Sequence, residues 1–367
     1  MAKLIICIDG LGKDLINKKD SPFLYEYGQK NSLCTLKTFF AFTEEYSFFS
    51  GKTPKEHNKW MEFEKSEKSI FSHFLVKLFS FNKKLRNNVA GLLQYLKGRK
   101  WIIGTHQIPQ NQLNNFDSCL KEGIWELPFF KEKNFVIYKW PLFALRDKEK
   151  SEMKLIFKYE NDEERLNRLL LNDVDIYYTQ LMMMDKTMHK YGKNSVKTKK
   201  SLKEMDKIIE KTVNKFLKKN PKGDVILWSD HGFADIKNVI NLEEYLPEMD
   251  KIIYFIAGTT AHFWFKNKND KKLILENIKR NNKIKVLTKK LADKYKIPFN
   301  SNYGDLCLFV EKGNYFFPNF YQKYKKEKYR GMHGYPDDKE LDGFFIINKK
   351  IKNKILNMEG AIQIIKN

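Results

Sequence analysis

The chain has 367 residues, 42% hydrophobic and 14% aromatic, which excludes a disordered or fibrous class and suffices for one large α/β domain with insertions, or for two domains. Its formal net charge of +23 comes from lysines scattered along the length. This reads as a Lys-rich solvated surface that steers anions, and a dedicated nucleic-acid site is not indicated. Four cysteines (Cys7, Cys34, Cys119, Cys307) lack the close spacing of a disulfide framework or a zinc knuckle.

Residues 4–8 form a continuous apolar run, the pattern of a strand buried on both faces, ending in Asp9-Gly10. Asp9 cuts this run too short for a secretory leader, and no later window approaches the ~18 apolar residues of a spanning helix. A reducing, cytoplasmic setting is the expectation. Thr43 followed by Glu44-Glu45 marks a helix N-terminus. A hydroxyl there is also placed to attack phosphorus, with helix amides facing the phosphoryl oxygens. Residues 61–98 read as a helical lid insertion, in which Phe71, Phe74, Leu75, Leu78 and Phe79 recur at helical spacing ahead of Lys83, Lys84 and Arg86. Two readings stay open for residues 66–97: packing onto the core, and peripheral contact with a membrane surface. Residues 101–103 and 135–138 read as core strands, and 160–171 as a charged helix.

Residues 174–184 read as a strand running into Asp185 and His189, which are four apart and share a face if the chain turns helical. An amphipathic basic helix over 200–219 leads to the apolar run 225–228, which stops at Ser229-Asp230-His231-Gly232. Within a strand Asp230 and His231 would point to opposite faces; where the chain turns both can face one site, and Gly232 permits a bend. A carboxylate beside an imidazole is what zinc or manganese accepts. Between 252 and 325 the pattern changes to a small α+β cap. Residues 254–265 and 305–310 read as its strands, and His262 is either an exposed strand residue or a substrate contact. His333 then lies in Gly331-Met-His-Gly334, residues 343–348 form a last strand, and a helix closes the chain from Ile351.

Strand and helix alternation predicts an α/β fold, an α/β/α sandwich with a mostly parallel central sheet, in a single catalytic domain over 1–367. Asp9, Thr43, Asp185, His189, Asp230, His231 and His333 lie at strand ends, a helix start or glycine turns. Seven such groups suit two adjacent divalent ions, which stabilise both the attacking and the departing oxygen of a phosphoryl transfer.

Asp9-Gly10, Ser47-Phe-Phe-Ser-Gly51 with Pro54 and His57, Asp185-x-x-x-His189, Ser229-Asp-His-Gly232 and Met332-His-Gly334 occur in that order over nearly the whole chain. In this the sequence resembles the type I phosphodiesterase/nucleotide pyrophosphatase branch of the alkaline phosphatase superfamily. The resemblance implies two zinc ions, with manganese as the alternative. One would be held by Asp185, His189 and His333, the other by Asp9, Asp230, His231 and the nucleophilic hydroxyl. In many members the nucleophilic threonine lies six residues before the serine equivalent to Ser47, where this chain has Ala41. Bacterial relatives of a glycan-cluster type carry it two residues later, matching Thr43, and share the Pro-Lys-Glu-His-x-x-Trp stretch and the final Gly-Met-His-Gly-Tyr. The phosphate-assisting asparagine of nucleotide-hydrolysing members has no match; Glu44 and Glu45 stand nearby.

The expected activity is metal-dependent hydrolysis of phosphodiester or pyrophosphate bonds in an anionic phosphate ester or nucleotide-type substrate. A phosphomonoesterase or phosphotransferase of the same superfamily is the alternative. A sulfatase is disfavoured because Cys34-Thr-Leu-Lys-Thr38 lacks the Cys-x-Pro-x-Arg context. A catalytically inactive basic protein that binds polyanions would have no reason to keep seven dispersed ligand-type residues.

Overall fold

Alternate residues of the first strand, Lys3–Ile8 (β1), divide between two hydrophobic cores. Leu4, Ile6 and Ile8 enter one with Val225 and Leu227; Ile5 and Cys7 enter the other with Ile226 and Trp228. This follows from the two-residue period of a strand covered on both faces. The computed structural model describes residues 1–97, 99, 105, 108–131, 133–139, 142–147, 152–157, 160–246, 252–322, 328–336 and 339–366. The run at 101–103 lies outside them.

The remaining strands of the central sheet are Ser32–Lys37 (β2), Phe135–Lys139 (β3), Leu142–Asp147 (β4), Glu152–Phe157 (β5), Ile176–Leu181 (β6), Asp224–Trp228 (β7), Gly343–Ile347 (β8) and Ile355–Asn357 (β9). Their spatial order is β9-β2-β8-β7-β1-β6-β3-β4-β5. β1 pairs in parallel with both β6 and β7, and β3 with β6, so four carboxyl ends share one edge. Only β8 and β4 run against the rest. The fold is the expected α/β sandwich. Helices Pro22–Lys30, Asp162–Leu169, Met183–Tyr191 and Val196–Lys219 pack on one face. Helices Glu44–Ser50 and Met358–Lys366 cover the other.

Phe48 stacks on Trp228 with ring centroids 3.9 Å apart and planes 8° apart, and Phe49 meets Tyr178 edge-on. Each buried ring contributes roughly 1.5–3 kcal/mol, and together they pin the helix that begins after Thr43 to the strands that end at the site.

Three boundaries differ from those read off the sequence. The run at 174–184 is strand only to Leu181; Met183 starts a helix, its amide donating to Asp162 Oδ2 at 2.7 Å. Met184 and Met188 are buried, so apolar character continues through the change and periodicity cannot mark it. The run at 254–265 is a hairpin, Ile253–Ile256 and Thr260–Trp264, in which a Cβ on Gly258 would come within 2.4 Å of the Tyr315 ring. The closing segment is β9 followed by the helix Met358–Lys366.

The cap hairpin joins Leu306–Val310 and Ile284–Val286 in a four-stranded antiparallel sheet, with helices Lys268–Ile278 and Lys289–Lys294. Two short ladders return the chain to the main sheet's edge: Asn238–Ile240 with Asn314–Phe316, and Ala234-Asp235 with Gly331-Met332. The segment 66–97 forms a 3-10 turn at Ile70–Ser72 and helices Phe74–Leu78 and Lys83–Leu96. His73 and Asn82 cap the two helices and break what the spacing suggests is one. Phe71, Val76, Ala90 and Leu93 share a third core with the cap.

Candidate active site

β1, β6 and β7 deliver their following residues to one rim. Asp9 directly follows β1, Asp230 and His231 follow β7, and Asp185 and His189 sit on consecutive turns of the helix after β6. Gly10 adopts φ +78°, where a Cβ would also strike the Phe233 ring at 2.7 Å. Its amide donates to Asp230 Oδ1 at 3.1 Å. Gly232 serves close approach rather than an unusual bend: a Cβ there would lie 2.4 Å from the Glu340 carbonyl oxygen.

His333 arrives from 102 positions beyond His231 through the small ladder that pairs Ala234 with Met332. The two imidazoles end up stacked, centroids 3.7 Å apart and planes 6° apart. The same ladder receives the helix of His189, whose carbonyl accepts from the Arg330 amide at 2.8 Å and whose Nδ1 donates to the Gly331 carbonyl at 3.0 Å.

The ring tautomers follow from these bonds, because a carbonyl oxygen only accepts. His189 Nδ1 carries its proton toward Gly331, so a neutral ring presents a bare Nε2 to Asp185 Oδ1, 3.3 Å away. His231 does likewise: Nδ1 donates to the Gly232 carbonyl at 3.1 Å, and Nε2 lies 3.4 Å from Asp9 Oδ1 and 3.9 Å from Asp230 Oδ1. His333 Nε2 is 3.8 Å from Asp185 Oδ1, and its Nδ1 is buried with no hydrogen-bond partner among the described residues. Lone pairs aimed at carboxylate oxygens repel unless a proton or a cation stands between them, and Nδ1 bonded to a carbonyl is how metal-ligating histidines are oriented. The donor set therefore fits divalent metal.

Two groupings have their ligand atoms within 4.8 Å of one another: Asp9, Asp230 and His231, and Asp185, His231 and His333. His231 belongs to both, whereas the family resemblance implies two ligand sets that share no residue, with His189 beside Asp185 and His333. His189 keeps the contact to Asp185.

Thr43 is the N-cap of helix Glu44–Ser50, between Phe42, which packs on His333, and Glu44, which feels the charges of His231, Asp230 and Asp9. It is 3% exposed, and its hydroxyl donates to the Lys59 carbonyl at 2.9 Å. It makes no capping bond to its own helix, so the oxygen's lone pairs are not taken up by the helix's first amides. Phe42, just before it, packs against His333 with centroids 5.8 Å apart.

Burial and the facing carboxylates of Asp230 and Asp185 push Asp9 well above the usual carboxylate range. Burial alone would hold His231 down, yet Asp230 and Asp9 outweigh it and raise its pKa. Burial would also raise Asp185, but His189 holds it below its ordinary value. Burial, with the charges of His231 and His189, drives His333 well down. A metal cation held among these carboxylates would compete with a proton at His231 Nε2.

Four residues of this neighbourhood escaped the sequence reading. Gln180, the lone side-chain amide in an otherwise apolar strand end, donates to Asp9 Oδ2 at 2.7 Å. Tyr329 stacks on His189 at 4.2 Å. Glu44, read as a first-turn acid, is 6% exposed and pushed to about 8 by burial, with Asp230 and Asp9 adding to the rise and His231 opposing it. Glu45 turns to the sheet, pairing with Lys139 and accepting from the Tyr178 hydroxyl. The only signal for Gln180 was an amide inside a buried strand; Glu44 gave none beyond adjacency to Thr43. His262 is away from this rim, its ring bonded to the Tyr303 carbonyl and Thr260.

Solved structures of the ectonucleotide pyrophosphatase/phosphodiesterase 5 proteins share the fold. The human protein aligns with TM-score 0.69 at 14% identity. The murine protein aligns with TM-score 0.68 at 15% identity, and an inactive threonine-to-alanine variant of it, in complex with AMP, with TM-score 0.68 at 14%. Each alignment covers 100% of this chain and 94% of the other. No curated protein matches. The type I phosphodiesterase/nucleotide pyrophosphatase family matches residues 3–336. With that match over nearly its whole length, the chain belongs to the type I phosphodiesterase/nucleotide pyrophosphatase family and is a hydrolase of that kind.

Proposed function

We propose that the chain hydrolyses phosphodiester or pyrophosphate bonds of nucleotide-type substrates, with Thr43 as nucleophile and two divalent ions of the zinc class as cofactors. The observation that carries this is the set of imidazole Nε2 atoms aimed at Asp9, Asp230 and Asp185 across one strand-end rim. Asp9, Asp230, His231 and Thr43 would hold one ion and Asp185, His189 and His333 the other, with His231 placed between the groups. Bound there, the ions would supply positive charge that lowers the pKa of a hydroxyl and neutralises phosphoryl and departing oxygens.

The chain's own residues do the rest. Thr43 Oγ gives its proton to solvent and attacks phosphorus in line, forming an O–P bond as the bond to the departing oxygen breaks and that oxygen takes up a proton from solvent as its basicity requires. Water then attacks the phospho-threonine, its oxygen staying on the released phosphoryl group and one of its protons restoring the Thr43 hydroxyl. The Lys59 carbonyl fixes the orientation of Thr43 Oγ beforehand. Gln180 holds Asp9, and the Gly10 amide holds Asp230, so neither carboxylate swings out of the rim. The AMP bound to the murine relative supports a nucleotide-type substrate here.

The test is Thr43→Ala in zinc-loaded protein, assayed on bis(p-nitrophenyl) phosphate beside p-nitrophenyl phosphate. The expected result is diester cleavage faster than monoester cleavage in the wild type. The variant should lose about three or more decades of kcat with metal content unchanged. Wild-type turnover by the variant would overturn Thr43 as nucleophile, and faster monoester cleavage would move the assignment to a phosphomonoesterase.

A further inference from the structure

We propose that the paired helices Phe74–Leu78 and Lys83–Leu96 form a docking face for an anionic membrane surface. The segment 68–116 contains eight Lys or Arg and no Asp or Glu, in a chain where 45 acids are otherwise spread throughout. Its two helices pack side by side, and their inner faces are already used. Phe71, Val76, Ala90 and Leu93 enter the core shared with the cap. Arg86 is turned inward to the carbonyls of Thr105 and Ile108, at 2.6 and 2.9 Å.

The outer face is apolar and in water. Phe74 is 67% exposed, Leu78 59%, Phe81 80%, Leu85 37%, Leu92 56% and Leu96 67%. Leu85, Leu92 and Leu96 recur at helical spacing, so they form one stripe continuous with the tip at Phe81. Lys77 and Lys84 on the same two helices, and Lys97 just past the end of the second, are exposed. An exposed stripe of large aliphatic and aromatic side chains bordered by lysines, with no carboxylate in the segment, is the pattern that seats a helix in a headgroup layer containing acidic lipid. No helix among the described residues is long and apolar enough to cross a membrane, so the contact would be interfacial.

A second copy of the chain would also cover the stripe. A twofold contact, however, would set the acid-free segment against itself, lysines facing lysines, and the charge favours the anionic surface. This inference does not depend on the metal chemistry of the site.

Full-length protein is sedimented with phosphatidylcholine vesicles, with and without phosphatidylglycerol. Binding is expected only to the acidic vesicles. Two triple variants separate the contributions: Phe81→Ser/Leu92→Ser/Leu96→Ser and Lys77→Gln/Lys84→Gln/Lys97→Gln. Both should keep wild-type hydrolysis of a soluble diester, which shows that they fold. Each should weaken vesicle partitioning, the lysine set by on the order of a hundredfold. Absence of binding to acidic vesicles overturns the proposal, as does binding that neither variant weakens. A wild-type dimer in sedimentation equilibrium that the apolar variant dissociates would assign the face to a second copy instead.

Discussion

Gln180 shows how a single amide can set the chemistry of a neighbour. Asp9 faces two other carboxylates, and Gln180 Nε2 is the donor that fixes its Oδ2 at 2.7 Å. Replacing it with leucine keeps the bulk and removes the donor, so Asp9 becomes free to turn away. Gln180→Leu should retain the fold and weaken metal affinity by about 10–100-fold, as outer-shell losses do, read by competition with a chromophoric zinc chelator. Asp9, Asp185, Asp230, His231 and His333, which the structure groups, stood out in the sequence because each follows an apolar run or lies beside a glycine. Gln180 did not, since one polar residue inside a buried strand reads as a satisfied core amide. The sharing of His231 between two groups was equally hidden: it depends on the ladder that stacks His333 on it, and ring stacking leaves no trace in spacing.

At the scale of elements, the cap and the segment before it are held by neutral imidazoles whose tautomers are fully specified. His262 donates from Nδ1 to the Tyr303 carbonyl and accepts at Nε2 from Thr260, while His57 accepts from the Lys59 amide and meets Ser47 with its other nitrogen. Burial lowers each to about 4. A base whose folded pKa is depressed contributes stability that is complete above its unfolded value of about 6.5 and lost as pH falls through about 4. The melting temperature should therefore fall between pH 6.5 and 4, and His262→Asn, whose amide can replace the Nδ1 donor, should flatten part of that slope in scanning calorimetry. A slope unchanged by the substitution would remove His262 as a cause. The ends of β1 and β7 were readable from sequence because a continuous apolar run stops there at an acid and a glycine soon follows; the end of β6 was not, because Met182 to Met184 prolong its run. The cap hairpin was not, since both of its strands are largely buried and only Ala257, Gly258 and Thr259 separate them.

For the whole molecule, the sheet edge trades stability for charge. Asp9, Asp230 and Asp185 are gathered into a buried cluster that a cation would compensate. Loading with zinc should raise the melting temperature, and chelation should reverse it, by several degrees at metal concentrations far above Kd. A sharper consequence follows from the geometry of Asp9. With one of the two carboxylates that favour a proton on His231 gone, an asparagine there could accept from Gln180 with its carbonyl and donate from its amide to Nε2 of the neutral His231 ring, an atom 3.4 Å from Asp9 Oδ1, leaving these three groups paired without metal. Asp9→Asn should thus be more stable than the metal-free wild type by roughly 1–3 kcal/mol, the scale of relieving an uncompensated buried polar group. It should also gain little from zinc and be inactive. The pH dependence has a definite sign. Because the folded pKa of Asp9 is raised, the wild type loses stability as pH rises from below about 3.8 through that raised value, so the advantage of the variant should grow toward alkaline pH. Metal-free melting curves of both proteins between pH 5 and 9 decide it: an Asp9→Asn protein that melts below the wild type throughout would mean that this carboxylate holds the rim together by itself, with no call for a cation.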